Sequence, residues 1–188
     1  MPSNSDSESI SIVITRHAEK PADSGKPRGI NTEGDHDPHS LSVRGWTRAG
    51  ALASLFGLVP NSRYPGVHQP QQVYATHPSH QAQSTREYDT AGPTAKKLGV
   101  SLESAFKHGE EKQLADAIVA GNQNAMVVWH HGAIPHLLEN FDIGNRADIP
   151  TAWPEDRFDL LWVLTKQSGE STFTWQQLNQ SLLDGDLS

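Results

Sequence analysis

The stretch ISIVITRHAEK, residues 10–20, joins a strand signal to reactive side chains. Ile10 to Thr15 is a β-branched run of strand length, and Arg16 and His17 follow it directly. Two further apolar runs of strand length lie downstream, QVYAT at 72–76 and AMVVWH at 125–130. Because helical patterns separate these runs, the sequence predicts a three-layer α/β/α sandwich with a largely parallel central sheet.

The segments between the strands carry helical periodicity. The predicted helices are 43–58, 84–98 with Pro93 as a disturbance, 110–120 with Gly121 as its C′ residue, and one through Leu137 and Leu138. Two closing strands, 158–165 and 171–176, are predicted to form a hairpin through Ser168 and Gly169. A short strand is also expected just before Glu103.

Length and composition limit the possible function classes. At 188 residues the chain is expected to form one domain over 10–188, after a disordered tail over 1–9. The net charge of -7 argues against broad binding to nucleic acid or acidic membranes. With no cysteine, thiolate catalysis and disulfides are excluded. Neither a signal peptide nor an apolar run of membrane length is recognised, so a soluble, cytoplasmic protein is expected.

Polar residues follow each inner strand of the predicted sheet. The first strand leads to Arg16 and His17, the second to His77 with Arg86 ten residues after Thr76, and the third to His130-His131. The carboxyl ends of parallel strands meet at one edge, where such sheets bind ligands. Guanidinium groups repel cations and hold oxyanions bidentately, and a neutral imidazole can attack phosphorus. These residue types together indicate a phosphoryl-binding site.

Four segments carry a resemblance to a known family. They are ITRHAEK, LSVRGWTRAGAL (41–52), VYATHPSHQAQSTREYDTAGPTAKKLG (73–99) and VVWHHGAIPHLL (127–138). In this order they resemble the motifs of the histidine phosphatase (phosphoglycerate mutase-like) superfamily. The segment WPEDRFDLLWVL (153–164) also resembles the tail of a short bacterial subgroup whose motif opens Arg-His-Ala-Glu-Lys-Pro.

The resemblance implies a phosphoglycerate mutase-like fold and a phosphatase that needs no metal or other cofactor. His17 would be the nucleophile that carries the phosphoryl group, and Arg16, Arg86 and His131 would hold its oxygens. The substrate would be a small phosphomonoester or a phosphoprotein, and phosphate or sulfate would bind the same site. A mutase-type phosphoryl transferase and a non-catalytic phosphate-binding module are alternatives.

The proton donor for the leaving group stays open at this stage. The family often supplies a glutamate between the second arginine and the second histidine, and Glu103 and Glu19 are the candidates. Glu110 and Glu111 open a predicted helix, where the helix dipole favours acidic residues for structural reasons. Substrates with good leaving groups would need no strong acid.

Several basic residues compete with those of the resemblance. His130 is adjacent to His131, although the His-Gly motif favours His131. Arg44 and Arg48 have the spacing of solvated helix residues, and Arg48 is expected to pair with a carboxylate. Arg63 is a further rival to Arg86, and Lys20 fits the pocket rim or a solvated loop equally well.

A metal-binding module is a separate alternative. Its possible ligands are Asp35, His36, Asp37, His39, His77 and His80. A loop this rich in Asp, Gly and Pro more often forms solvated turns, and it matches no helix-borne ligand motif. The sequence therefore favours the phosphoryl site over a metal site.

Three loops are expected to form the pocket walls. They are 21–40, 61–71 and 145–156. The side chains that could line the entrance are His36, His39, Trp153 and Arg157.

Overall fold

The central element of this computed structural model, which describes residues 9–79 and 83–187, is a mixed β-sheet. The strands are β1 (Ser9–Arg16), β2 (Gly29–Ile30), β3 (Leu41–Ser42), β4 (Gln72–Ala75), β5 (Leu102–Glu103), β6 (Ala125–Trp129), β7 (Leu160–Gln167) and β8 (Thr174–Asn179). The helices are α1 (Val43–Phe56), α2 (Arg86–Leu98), α3 (Glu111–Gly121), α4 (Ile134–Leu138) and a 3₁₀ turn at Arg146–Asp148. Of the expected tail over 1–9, residues 1–8 lie outside the described residues, and Ser9 begins β1.

Six of these strands form the central sheet, in the order β5-β4-β6-β1-β7-β8. Strands β5, β4, β6 and β1 run parallel, whereas β7 pairs antiparallel with β1 and β8 pairs antiparallel with β7. The register pairs Arg16 with Trp129, so the ends of β1 and β6 lie side by side. The predicted α/β fold with a largely parallel central sheet is therefore confirmed.

The core lies on both faces of the sheet, as the alternation of side chains along a strand requires. In β1, Ile12 and Ile14 pack into the cluster that contains the apolar residues of α3 and α4. Val13, between them, packs into the opposite cluster with residues of α1 and α2. Helices therefore cover each face, which gives the three expected layers.

The local predictions differ from the structure in a few places. The predicted C′ glycine, Gly121, is the last residue of α3, and Asn122 adopts the left-handed conformation instead, with a φ of 48°. Pro93 lies inside α2 without ending it. The predicted loop 21–40 contains β2, which pairs with β3 in a small second sheet. The predicted hairpin of β7 and β8 is present, and Gly169 there has a φ of 85°.

No helix in the part of the chain that the structure describes is long and apolar enough to cross a membrane.

Candidate active site

A cleft of about 560 Å³ opens at the carboxyl ends of β1 and β6. Its lining residues are Arg16, His17, Lys20, Ser84, Arg86, Glu87, His130, His131, Glu155 and Phe158. The structure thus brings together the four residues predicted to bind phosphate, from three separate segments of the chain. It also adds carboxyl, hydroxyl and aromatic side chains to them.

His17 is buried, and its ring is fixed by the backbone. Its Nδ1 lies 2.7 Å from the carbonyl oxygen of Ala18. A carbonyl can only accept, so this contact assigns the proton to Nδ1 and leaves the lone pair on Nε2. Burial lowers the pKa of His17 to about 3, and the nearby charges of Arg16 and Arg86 act in the same direction. The imidazole is therefore neutral, as a nucleophile requires.

Arg16 lies beside His17 and is held from several directions. Its guanidinium donates to the backbone carbonyl of Glu155 and stacks 4.0 Å from the ring centroid of Phe158. Burial lowers the pKa of Arg16 to about 10, which still leaves it charged at neutral pH. Its buried Nε has no hydrogen-bond partner among the described residues. A buried unpaired donor on a cation fits an anion in the cleft.

His131 is oriented by the same arginine. Arg16 Nη2 lies 3.3 Å from His131 Nδ1, and because arginine only donates, Nδ1 accepts and the ring proton lies on Nε2. Burial and the adjacent Arg16 lower the pKa of His131 to about 4. A neutral His131 can thus donate a hydrogen bond to a phosphoryl oxygen.

His130 also lines the cleft, but its contacts differ from those of His131. Its Nδ1 accepts from the backbone amide of Gly132 at 3.2 Å. Its ring packs against His131, with centroids 4.5 Å apart, and against His108 at 5.3 Å. His130 therefore supports the ring of His131, and only His131 contacts Arg16.

Arg86 is the first residue of α2, and the loop before α1 sets its direction. Its Nε donates to the carbonyl of Ser40 at 3.3 Å and its Nη2 to that of Pro38 at 2.8 Å. Thr90, one turn later, accepts from the amide of Ala18 at 2.9 Å and donates to the carbonyl of Arg86 at 2.7 Å. This hydroxyl links the segment after His17 to the helix that carries Arg86.

The start of α1 holds the backbone just after His17. Ser42, the N-cap residue, donates to the carbonyl of Glu19 from both its amide and its hydroxyl, each at 3.0 Å. Its hydroxyl also accepts from the amide of Gly45. A Cβ on Gly45 would lie 2.4 Å from the Glu19 carbonyl oxygen, so this close approach requires glycine. The glycine of the second motif therefore positions the first motif.

The two predicted proton donors do not line the cleft. Glu19 accepts from Arg48 at 2.7 Å and from Arg44 at 3.1 Å, so its carboxylate is used in an ion-pair cluster. Glu103 is exposed at the end of β5. Glu111, at the start of α3, accepts from the indole of Trp129 at 3.1 Å and has a structural role.

The rival cations have other partners as well. Arg48 is buried and pairs with Glu19 and Asp186, each at 2.7 Å, so the predicted carboxylate partner is present. Arg44 is half exposed and joins the same cluster instead of being fully solvated. Arg63 donates to the carbonyl of Ser181, outside the cleft. Lys20 does line the cleft and also contacts Asp23 at 3.6 Å.

The cleft also contains three residues that the sequence does not predict there, Ser84, Glu87 and Phe158. Glu87 directly follows Arg86, and this adjacency could have indicated a place in the cleft. However, the helix dipole favours acidic residues in the first turn of any helix, so the sequence alone gives Glu87 a structural explanation. Phe158 was assigned to a closing strand, yet it precedes β7 and lies over Arg16. No sequence pattern predicts which aromatic ring will stack against an arginine, as Phe158 does against Arg16.

The predicted pocket walls are correct only in part. The loop 21–40 directs Arg86, and the segment 145–156 contributes Glu155. The loop 61–71 does not line the cleft, because it precedes β4 and lies at the amino-terminal edge of the parallel strands. None of the four predicted entrance residues lines the cleft either. Trp153 among them is buried in the core, and its indole donates to the carbonyl of Arg157.

The metal alternative finds no support in the geometry. Over residues 9–79 and 83–187, no group of three or more His, Asp or Glu side chains is arranged to hold an ion. His80, one of the predicted ligands, lies outside the described residues.

The sheet and the helices on both of its faces define an α/β protein, and its fold matches that of a histidine phosphatase. The chain is similar to a solved structure of the protein histidine phosphatase SixA complexed with tungstate, with a TM-score of 0.51 and 12% sequence identity. The match covers 91% of this chain and 97% of the SixA chain. No protein-family model matches the chain, and no curated protein does. At this identity, the likeness concerns the fold.

Proposed function

We propose that the protein is a metal-independent phosphatase that hydrolyses a phosphomonoester or a phosphoprotein through a phosphohistidine on His17. The observation that carries the proposal is the fixed, neutral imidazole of His17 beside Arg16, Arg86 and His131 in one cleft. The fold shared with SixA, a histidine phosphatase whose structure holds tungstate, supports it.

The geometry suits an in-line displacement at phosphorus. Nε2 of His17 attacks while Nδ1 keeps its hydrogen bond to Ala18, so the ring does not need to change tautomer before reacting. Arg16 and Arg86 neutralise the charge of the phosphoryl oxygens, and His131 donates a further hydrogen bond. Phosphoryl transfer depends mainly on such positioning and charge stabilisation, which side chains can supply.

Hydrolysis is favoured over mutase-type transfer by the exposure of the cleft. Lys20 and Glu155 at its rim are exposed, so water reaches the site. A mutase must shield its phosphoenzyme from water until the second transfer.

Turnover of p-nitrophenyl phosphate by the wild type and by His17→Ala tests the proposal. We expect acid-to-neutral activity, because a nucleophile with a pKa lowered by burial to about 3 is neutral under mildly acidic conditions. Removing the nucleophile is expected to lower kcat by about 10³-fold or more. His136→Ala, at an exposed histidine of α4 outside the cleft, is the matched control.

Acid-quenched wild type should carry a phosphoryl group on His17, and EDTA should leave the activity intact. Normal turnover by His17→Ala would refute the proposal. Loss of activity with EDTA would exclude the metal-independent mechanism.

A further inference from the structure

Glu87 is a buried carboxyl group inside the cleft that the proposed mechanism has not yet used. Only 5% of the residue is exposed, and it lies next to Arg86 in the first turn of α2. Its Oε2 accepts from the hydroxyl of Ser84 at 3.3 Å. Within the described ranges its carboxylate forms no ion pair, although Arg16 and Arg86 line the same cleft.

This environment favours the neutral form of the carboxyl group. Burial raises the pKa of Glu87, against the hydrogen bond from Ser84 and the charges of Arg86 and His108. An ionised carboxylate here would also repel the oxygens of a phosphoryl group held by Arg16 and Arg86. Burial therefore shifts Glu87 towards its protonated form in the same cleft that contains Arg16 and Arg86.

The other acidic side chains near the cleft lack these properties. Glu155 is exposed, and its backbone carbonyl is the atom that contacts Arg16. Glu19 is paired with Arg48 outside the cleft. In Glu111, the hydrogen bonds from Gly109 and Trp129 outweigh burial and lower the pKa. Among these four residues, Glu87 alone combines burial, a place in the cleft and a raised pKa.

We propose that Glu87 is the general acid that protonates the leaving group, and that the cleft is therefore built for phosphate esters of alcohols. The inference rests on the proposed function. An alkoxide is a poor leaving group, so its departure requires a proton, whereas nitrophenolates and the carboxylates of acyl phosphates leave without one. Phosphate esters of free alcohols and of peptide hydroxyl groups share this chemistry, since both leave as alcohols.

Glu87 acts in both steps of the reaction, as the acid in phosphoryl transfer to His17 and as the base in hydrolysis of the phosphohistidine. In the first, the bond from His17 Nε2 to phosphorus forms while the ester P–O bond breaks, and the leaving oxygen takes the electron pair and the proton of Glu87. In the second, water attacks the phosphohistidine and gives a proton to the Glu87 carboxylate. The N–P bond then breaks, its electron pair returns to Nε2, and phosphate leaves with Glu87 protonated again.

The test compares leaving groups in wild type and Glu87→Gln, using kcat/KM because it reports the phosphoryl transfer to His17. For glycerol 3-phosphate and a phosphoserine peptide, we expect kcat/KM to fall about 10²- to 10³-fold in the variant. For 2,4-dinitrophenyl phosphate we expect a change of less than about 5-fold. The two alcohol esters separate a free from a protein-borne substrate. Glu139→Gln, at an exposed residue after α4, should change neither value.

The pattern of losses across the substrates distinguishes a proton donor from a residue that only shapes the site. An equal loss of kcat/KM on all substrates would mean that Glu87 shapes the site without donating a proton, and no loss would mean that it is not the acid. Wild type that hydrolyses a phosphohistidine peptide but no alcohol ester would refute the substrate class while leaving the proposed function standing. Absence of any phosphohistidine on His17 would instead refute the proposed function itself.

Discussion

At the scale of single residues, the cleft is organised around the protonation states of two histidines. Ala18 accepts from one ring and Arg16 donates to the other, so His17 presents a lone pair and His131 presents a proton. Both rings stay neutral because burial lowers their pKa values, to about 3 and about 4. One backbone carbonyl and one arginine thereby assign opposite roles to two chemically identical side chains.

This arrangement makes folding stability depend on pH. Because the folded pKa of His17 lies below the unfolded value, its contribution is complete above about pH 6.5 and is lost as the pH falls towards 3. In that range the unfolded chain binds the extra proton. For this residue the loss between pH 7 and pH 4.5 is about 2 to 3 kcal/mol of unfolding free energy.

His17→Asn should therefore flatten the acid side of the stability profile, since an amide can donate to Ala18 but does not titrate. Urea unfolding at pH 7 and pH 4.5 measures the difference, and the variant should lose about 2 to 3 kcal/mol less than wild type. His36→Asn, at an exposed side chain that is solvated in both states, should follow wild type. Parallel profiles for wild type and His17→Asn would contradict the assignment of a buried neutral imidazole.

At the scale of elements, α1 supports the segment that directly follows His17. Its N-cap Ser42 binds the carbonyl of Glu19, Gly45 permits the close approach, and Arg48 binds the Glu19 side chain. Asp186 near the C-terminal end completes the ion-pair cluster from the other side. The segment that follows β1 is thus fixed by contacts from regions distant in sequence.

Alanine substitutions at two glycines of α1 distinguish the effect of a steric clash on stability from the effect of helix propensity. Gly45→Ala places a Cβ 2.4 Å from the backbone oxygen of Glu19, which cannot rotate away. The backbone must shift, so we expect a loss of about 1 to 3 kcal/mol in stability and a lower kcat. A Cβ on Gly50 meets no heavy atom of the described residues within 4 Å, so Gly50→Ala should stabilise by about 0.5 to 1 kcal/mol.

Thermal unfolding and phosphatase assays of the two purified variants measure these effects. A Gly45→Ala protein as stable and active as Gly50→Ala would show that the close approach does not position His17.

The elements also show what the sequence could and could not predict. Continuous apolar runs place β1, β4 and β6 correctly, because a buried strand is apolar on both faces. Parallel pairing then brings Arg16 and His131 together. The ion-pair and hydrogen-bond partners of charged side chains cannot be predicted from any local sequence pattern. Glu19 was expected near the phosphate and is instead bound by Arg48, whereas Glu87 lies in the cleft because α2 begins there. Such contacts join residues far apart in the chain, and only the folded structure determines them.

At the scale of the whole molecule, the net charge is negative although the cleft contains a local cluster of positive charges. The net charge of -7 repels polyanions, yet the cleft gathers Arg16, Arg86 and Lys20 at one edge of the sheet. Cations at the rim of a narrow site attract one small anion even when the protein is acidic overall. The cleft is therefore expected to select a phosphoryl group over extended anionic polymers.

Binding of inorganic phosphate should accordingly stabilise the fold, because only the native state brings these cations together. At about 100 times the Kd, a ligand that binds the native state alone adds about 2.7 kcal/mol, or roughly 5 to 10 °C in Tm for a chain of this size. Arg86→Ala should lose most of this shift, whereas Arg63→Ala removes the same charge outside the cleft and should retain it. Sodium chloride at the same ionic strength is the control for general salt effects. If phosphate raised the Tm of Arg86→Ala as much as that of the wild type, the anion would bind elsewhere on the molecule.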